Sequence, residues 1–158
     1  MAAQYGEGDT SFQAAGGETG LKRLVIRFYE HMETLPEAKV IRDMHPQDLD
    51  VTIDKLYRFL CGWLGGEKLF AKKYGPIMIP KAHEHLEINE QERDMWLLCM
   101  QKAVDEQPYT DGFKAYLMRE LLVPAERCRK VSVARRARGV SYSFLCLVVN
   151  LHQDHLVL

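Results

Sequence analysis

A chain of 158 residues with 47% hydrophobic and 27% charged side chains has the length and composition of one folded domain, which excludes a disordered polymer. Its formal charge of -1 is unevenly spread: residues 1–128 carry 16 basic and 21 acidic side chains, a poor nucleic-acid surface, and residues 129–158 carry 5 basic and 1 acidic. No apolar run approaches the roughly 18 residues of a membrane span, and Met1 to Asp9 has neither the basic nor the apolar region of a secretory signal.

In chain order, residues 1–10 are Gly- and Ala-rich and read as a flexible N-terminus. Ser11 to Ala15 make one helical turn, stopped by Gly16-Gly17. Leu21, Leu24, Val25, Phe28, Tyr29, Met32 and Leu35 then recur at steps of three and one, which predicts an amphipathic helix. Pro36 closes it, and Glu37 to Met44 give a further short turn before His45-Pro46. Asp48 is the expected N-cap of a second long helix, with Leu49, Ile53, Leu56, Phe59, Leu60, Trp63 and Leu64 on one face and Gly65-Gly66 at its end. Leu69, Phe70 and Tyr74 mark a short helix broken by Gly75-Pro76, and Ile77 to Pro80 read as an apolar loop. Asn89 and Glu92 have capping-box spacing ahead of Trp96, Cys99, Met100, Ala103 and Val104. A last helix begins near Asp111, buries Phe113, Tyr116, Leu117 and Leu121, and ends or kinks at Pro124. No strand-like alternation occurs before residue 130, and the pattern predicts an all-α fold.

Residues 129–158 break this periodicity. Five basic residues between Arg129 and Arg138 precede the apolar run Phe144 to Val149. Such a tail is a partner-binding arm, a weak membrane anchor or an appendage outside the fold, and the last reading is preferred. Cys61, Cys99, Cys128 and Cys146 are widely spaced. That excludes a CxxC zinc site, a CxxCH haem attachment and a disulfide scaffold, and fits the reduced thiols of a cytoplasmic protein.

Chemistry is sparse. Gly62, Gly65 and Gly66 lack the spacing of a phosphate loop, and no Ser or Cys stands in a nucleophile motif. His83-Glu84-His85 looks like a metal cluster, but helical residues two apart do not share a face. One histidine facing an apolar pocket can hold haem iron through a single axial bond. Spacing alone does not separate that arrangement from a core histidine.

A set of motifs in order adds to this reading. Gly16-Gly17, Leu24-Val25, Phe28-Tyr29, Met44-His45-Pro46 with Asp48-Leu49, Lys55-Leu56, Phe59-Leu60, Gly62-Trp63-Leu64-Gly65-Gly66 and Glu92-Arg93-Asp94 before Trp96-Leu97-Leu98-Cys99-Met100 resemble the truncated haemoglobins of group II. The resemblance covers residues 11–128 and implies a shortened globin, two helices over two around a non-covalent haem b. It implies His83 as the iron ligand, with His85 as its flank. It places Tyr29 and the indole N–H of Trp96 over the bound ligand, and puts His45 in contact with haem. Thr52 stands at the distal-histidine position of larger globins, where a small residue leaves an open side. Leu56, Phe59 and Trp63 form apolar wall. Lys55 either pairs with a propionate or is a solvated lysine; Lys81 is a weaker propionate candidate. The stretch around His83 departs from the family, with Pro80-Lys81-Ala82 before it and Glu84 after.

The implied function is reversible binding of O₂, and of CO and NO, in oxygen handling or nitrosative defence. The alternatives are an NO dioxygenase or peroxidase served by an external reductase, and a haem-free helical interaction module using the basic tail.

Overall fold

A computed structural model describes residues 4–138. Among them every regular element is helical: α1 (Thr10–Ala14), α2 (Gly17–Thr34), a 3-10 turn (Pro36–Ala38), α3 (Lys39–Asp43), α4 (Asp50–Trp63), α5 (Leu69–Tyr74), α6 (Ile79–Ala82), α7 (Glu90–Asp105) and α8 (Asp111–Ala137). The four long helices form two pairs, α2 with α4 and α7 with α8, joined where α2 packs on α7. The short α5 rests on α4, and α6 on α8.

The periodicity explains the packing. Leu21, Leu24, Val25, Phe28, Tyr29 and Met32 of α2 are all buried, as the three-and-four spacing requires. Each such side chain contributes about 1.5–3 kcal/mol on leaving water. Leu35 turns extended ahead of Pro36 and stops the helix. On α7 the capping box is present, with the Asn89 N–H donating to Glu92 Oε2 at 2.8 Å. Thr110 caps α8 by accepting from the Phe113 N–H at 3.2 Å. Asp48 acts one residue earlier than expected: its carboxylate accepts from the Asp50 N–H at 2.9 Å, while Leu49 occupies the cap position of α4.

Three expectations are corrected. Residues 4–10 are docked, because the Tyr5 ring packs against Phe113 and Tyr116 at 5.2 and 5.0 Å between centroids. Ile79 to Ala82 form a helical turn where a loop was expected. Most consequentially, α8 continues through Pro124 to Ala137, so the basic stretch Arg129 to Arg138 is the end of a packed helix. Cys128 and Ser132 are buried along it. The boundary at residue 128 is thus not structural; the apolar run Phe144 to Val149, with Cys146, His152 and His155, lies outside the described residues.

Asp54 ties α5 to the helix that carries Leu56 and Phe59. Its Oδ2 accepts from the Tyr74 hydroxyl at 2.5 Å and from Lys73 at 2.8 Å, while Arg58 donates to the same carboxylate at 2.9 Å. Burial raises the Asp54 pKa, but these donors outweigh it and hold the carboxyl at about 2, below its ordinary 3.8. A depressed folded-state pKa stabilises the protein above the unfolded value, and this stabilisation is lost as pH falls through about 2. Asp54→Asn is therefore expected to lower stability at pH 7, with the difference from wild type shrinking between about pH 4 and pH 2 in urea titrations.

The turn after α4 is where the N-terminal segment crosses. Gly65 has φ +96°, and a Cβ there would stand 1.9 Å from the Gly8 carbonyl oxygen. Gly65→Ala should lower stability by more than about 1–2 kcal/mol, the cost of the left-handed backbone alone. Gly112→Ala, at a helical position with open space, should be neutral or stabilising by up to about 1 kcal/mol. Thermal melts of the two variants check the contrast.

Candidate functional site

Between the two helix pairs lies a cleft holding about 780 Å³ of space, solvent at its mouth included. Leu56, Phe59 and Leu60 of α4 line it, with Trp96 of α7 and, from α8, Leu121, Pro124, Ala125 and Cys128. Ile41, Met44 and His45 contribute from α3 and the residues after it, and Ile79, His83, Leu86 and Ile88 from α6 and the loop that follows. The walls are thus overwhelmingly apolar, with two imidazoles among them.

The local structure determines the state of each imidazole. His83 is 6% exposed and follows the last turn of α6. Its Nδ1 lies 2.7 Å from the Ile79 carbonyl oxygen, which only accepts, so Nδ1 carries the hydrogen. Burial pushes the His83 pKa down to about 4, against the raising effect of that hydrogen bond, so the ring is neutral near pH 7. A neutral ring protonated on Nδ1 bears its lone pair on Nε2, the form that ligates a metal. His45 is built alike, with Nδ1 donating to the Ile41 carbonyl at 2.7 Å.

Tyr29 stands one ring behind the wall. Its ring meets His45 edge-on at 5.7 Å and Phe28 at 4.8 Å, and Phe28 in turn meets Trp96 at 5.0 Å. The Tyr29 hydroxyl is buried and has no hydrogen-bond partner among the described residues. Burial also raises its pKa, so it remains a donor. An orphaned buried hydroxyl is costly, and this one sits beside a cleft suited to a flat apolar cofactor with one axial nitrogen. The residues present fit a haem.

Of the residues singled out from the sequence, His83, His45, Leu56, Phe59 and Trp96 line the cleft, and Tyr29 adjoins it. Thr52 and Lys55, one turn earlier on α4, are buried but do not line it. Lys55 is 4% exposed, which overturns its reading as a solvated lysine. Its ammonium lies over the Tyr74 ring at 5.2 Å, and burial pushes its pKa below the usual lysine value. Trp63 stacks on Phe59 at 6.2 Å outside the lining. His83, Glu84 and His85 form no ion-binding group; among the described residues no three His, Cys, Asp or Glu side chains gather to hold a metal.

Sequence reasoning missed the α8 wall and Arg93. Leu121 was expected to be buried, but Pro124, Ala125 and Cys128 continue the same helical spacing past the proline, where the helix was expected to end or kink. Arg93 reaches the cleft from α7 while donating to Glu126 at 2.7 Å. No helix among the described residues is long and apolar enough to cross a membrane.

Comparison with known proteins agrees with this geometry. The sequence pattern of the bacterial-like globins matches residues 10–121. A group 2 truncated haemoglobin of Bacillus subtilis is 31% identical over 109 residues, covering 69% of this chain and 80% of the relative. The solved structure of a cold-adapted truncated haemoglobin from the Antarctic bacterium Pseudoalteromonas haloplanktis is 35% identical with a TM-score of 0.72, covering 75% of this chain and 95% of the other. A group II 2-on-2 haemoglobin from Agrobacterium tumefaciens has the same identity and TM-score, with 75% and 92% covered. The chain belongs to the bacterial-like globin family, as a haem-binding globin with the fold of the group II truncated haemoglobins.

Proposed function

We propose that this globin binds O₂ reversibly, and CO and NO with it, at a non-covalent haem b whose iron is held by His83. The observation that carries the reading is His83 itself. It is a buried neutral imidazole in an apolar cleft, with Nδ1 tied to the Ile79 carbonyl and its lone pair on Nε2. A haem held there by His83 would supply iron able to bind a diatomic gas and to donate electron density to it. The chain supplies the rest. Leu56, Phe59, Leu86 and Ile88 exclude water from the faces of the cleft. Trp96 brings an indole N–H, a donor only. Tyr29 brings a hydroxyl that stays protonated and has no acceptor within the described protein, so a partly negative ligand is the acceptor it lacks. His45, packed on Tyr29 and lining the cleft, completes the polar side.

Absorption spectra of the ferric, reduced and CO-bound protein test the iron assignment. Wild type is expected to show a Soret band that shifts with CO, and His83→Ala to lose haem or change ligation. A colourless protein that takes up no added haemin would refute the reading. The distal assignment has two readouts. Tyr29→Phe should speed O₂ release about tenfold to a hundredfold, since a hydrogen bond to a charged acceptor contributes about 1.5–3 kcal/mol. It should also leave the haem-free protein as stable as wild type or more so, because it removes an unpartnered buried hydroxyl. Unchanged release in stopped-flow would reject Tyr29 as the donor.

A further inference from the structure

The family match ends at residue 121, yet α8 continues to Ala137 and packs against α6. Ser132, in that extension, is fully buried. Its Oγ donates to the Leu86 carbonyl at 2.5 Å and accepts from the Ile88 N–H at 2.9 Å. Arg136 donates to the same oxygen at 2.9 Å and, through its other nitrogen, to Asn89 Oδ1 at 2.5 Å. A hydroxyl has one hydrogen and two lone pairs, and all three are used. The loop after α6 has no strand or helix to pair its backbone, so one serine side chain from α8 does so. The connection reaches the iron-binding residue, because the Leu86 N–H donates to the His83 carbonyl at 3.0 Å. An unbroken set of hydrogen bonds thus runs from Arg136 through Ser132 and Leu86 to His83.

We propose that Ser132, held by Arg136, is a positioning residue for iron ligation: the α8 extension fixes the loop behind His83 and keeps its ring in one orientation toward the iron. The inference rests on the haem reading of the cleft. It makes the extension a working part of the site, where the charge pattern alone marks it as a tail.

The test uses the full chain loaded with haemin. Resonance Raman of the reduced protein reads the iron–histidine stretch, transfer of haemin to excess apomyoglobin reads cofactor loss, and thermal melts run in parallel. Ser132→Ala, which strands the Leu86 carbonyl and the Ile88 N–H, is expected to shift or broaden the stretch and to speed haemin loss about tenfold. Arg136→Ala, at an exposed side chain, is expected to move both readouts the same way by less. A lowered melting temperature with the stretch unmoved would show a merely structural role and overturn the proposal. So would an unchanged stretch and haemin loss within twofold in both variants. If wild type itself shows no iron–histidine band, the haem reading fails first and the proposal falls with it.

Discussion

The hydrogen bond from His83 Nδ1 to the Ile79 carbonyl is the contact on which the site depends. It lies within one turn of chain, yet it fixes the tautomer and the ring orientation of the side chain facing the cleft, while burial keeps that ring neutral against the bond's own raising effect. A histidine free to rotate or to gain a proton would offer no constant lone pair. Everything around it maintains that bond: α6 is a single turn started by Pro80 near its N-terminus, and its last carbonyls are taken by the ring and by the backbone of the following loop. The apolar walls then serve two purposes. They keep the imidazole neutral by withholding water, and they shape a space for a flat cofactor.

The site keeps an expensive group in place. A phenol hydroxyl buried without a partner works against folding, and phenylalanine would fill nearly the same volume. Its presence beside the cleft has a physical rationale only if something bound there accepts its hydrogen. The unpartnered hydroxyl thus works against the stability of the folded chain, and any acceptor that reached it would relieve that penalty.

How much was legible in the sequence follows the physics of each element. The faces of α2, α4 and α7 repeat every three to four residues, and that period reads directly as burial. The capping box at Asn89 and the stop at Leu35-Pro36 are local chemistry and were equally plain. His83, Tyr29 and Trp96 came from the order of motifs, since their periodicity is that of any core. Three things depended on tertiary contact and were invisible. Residues 4–10 look too small to pack until Phe113 and Tyr116 offer rings to Tyr5. Lys55 reads equally as a propionate partner or a solvated lysine, and its burial with the ammonium over Tyr74 depends on a residue 19 positions away. A run of arginines looks like a tail until Ser132 in its midst finds an unpaired loop backbone.

Pro124 has a consequence beyond the length of the helix. It has no N–H to give the carbonyl of Glu120, so the ladder of α8 lacks a rung at the level of the cleft, where Pro124 itself forms wall. The stiffness of a rod about 40 Å long is therefore lowest at the point that touches the pocket. Upstream, Phe113 and Leu117 anchor it in the core; downstream, Ser132 fastens it to the loop after His83. A helix held at both ends and missing a hydrogen bond between them bends most readily at the missing bond, here beside the pocket.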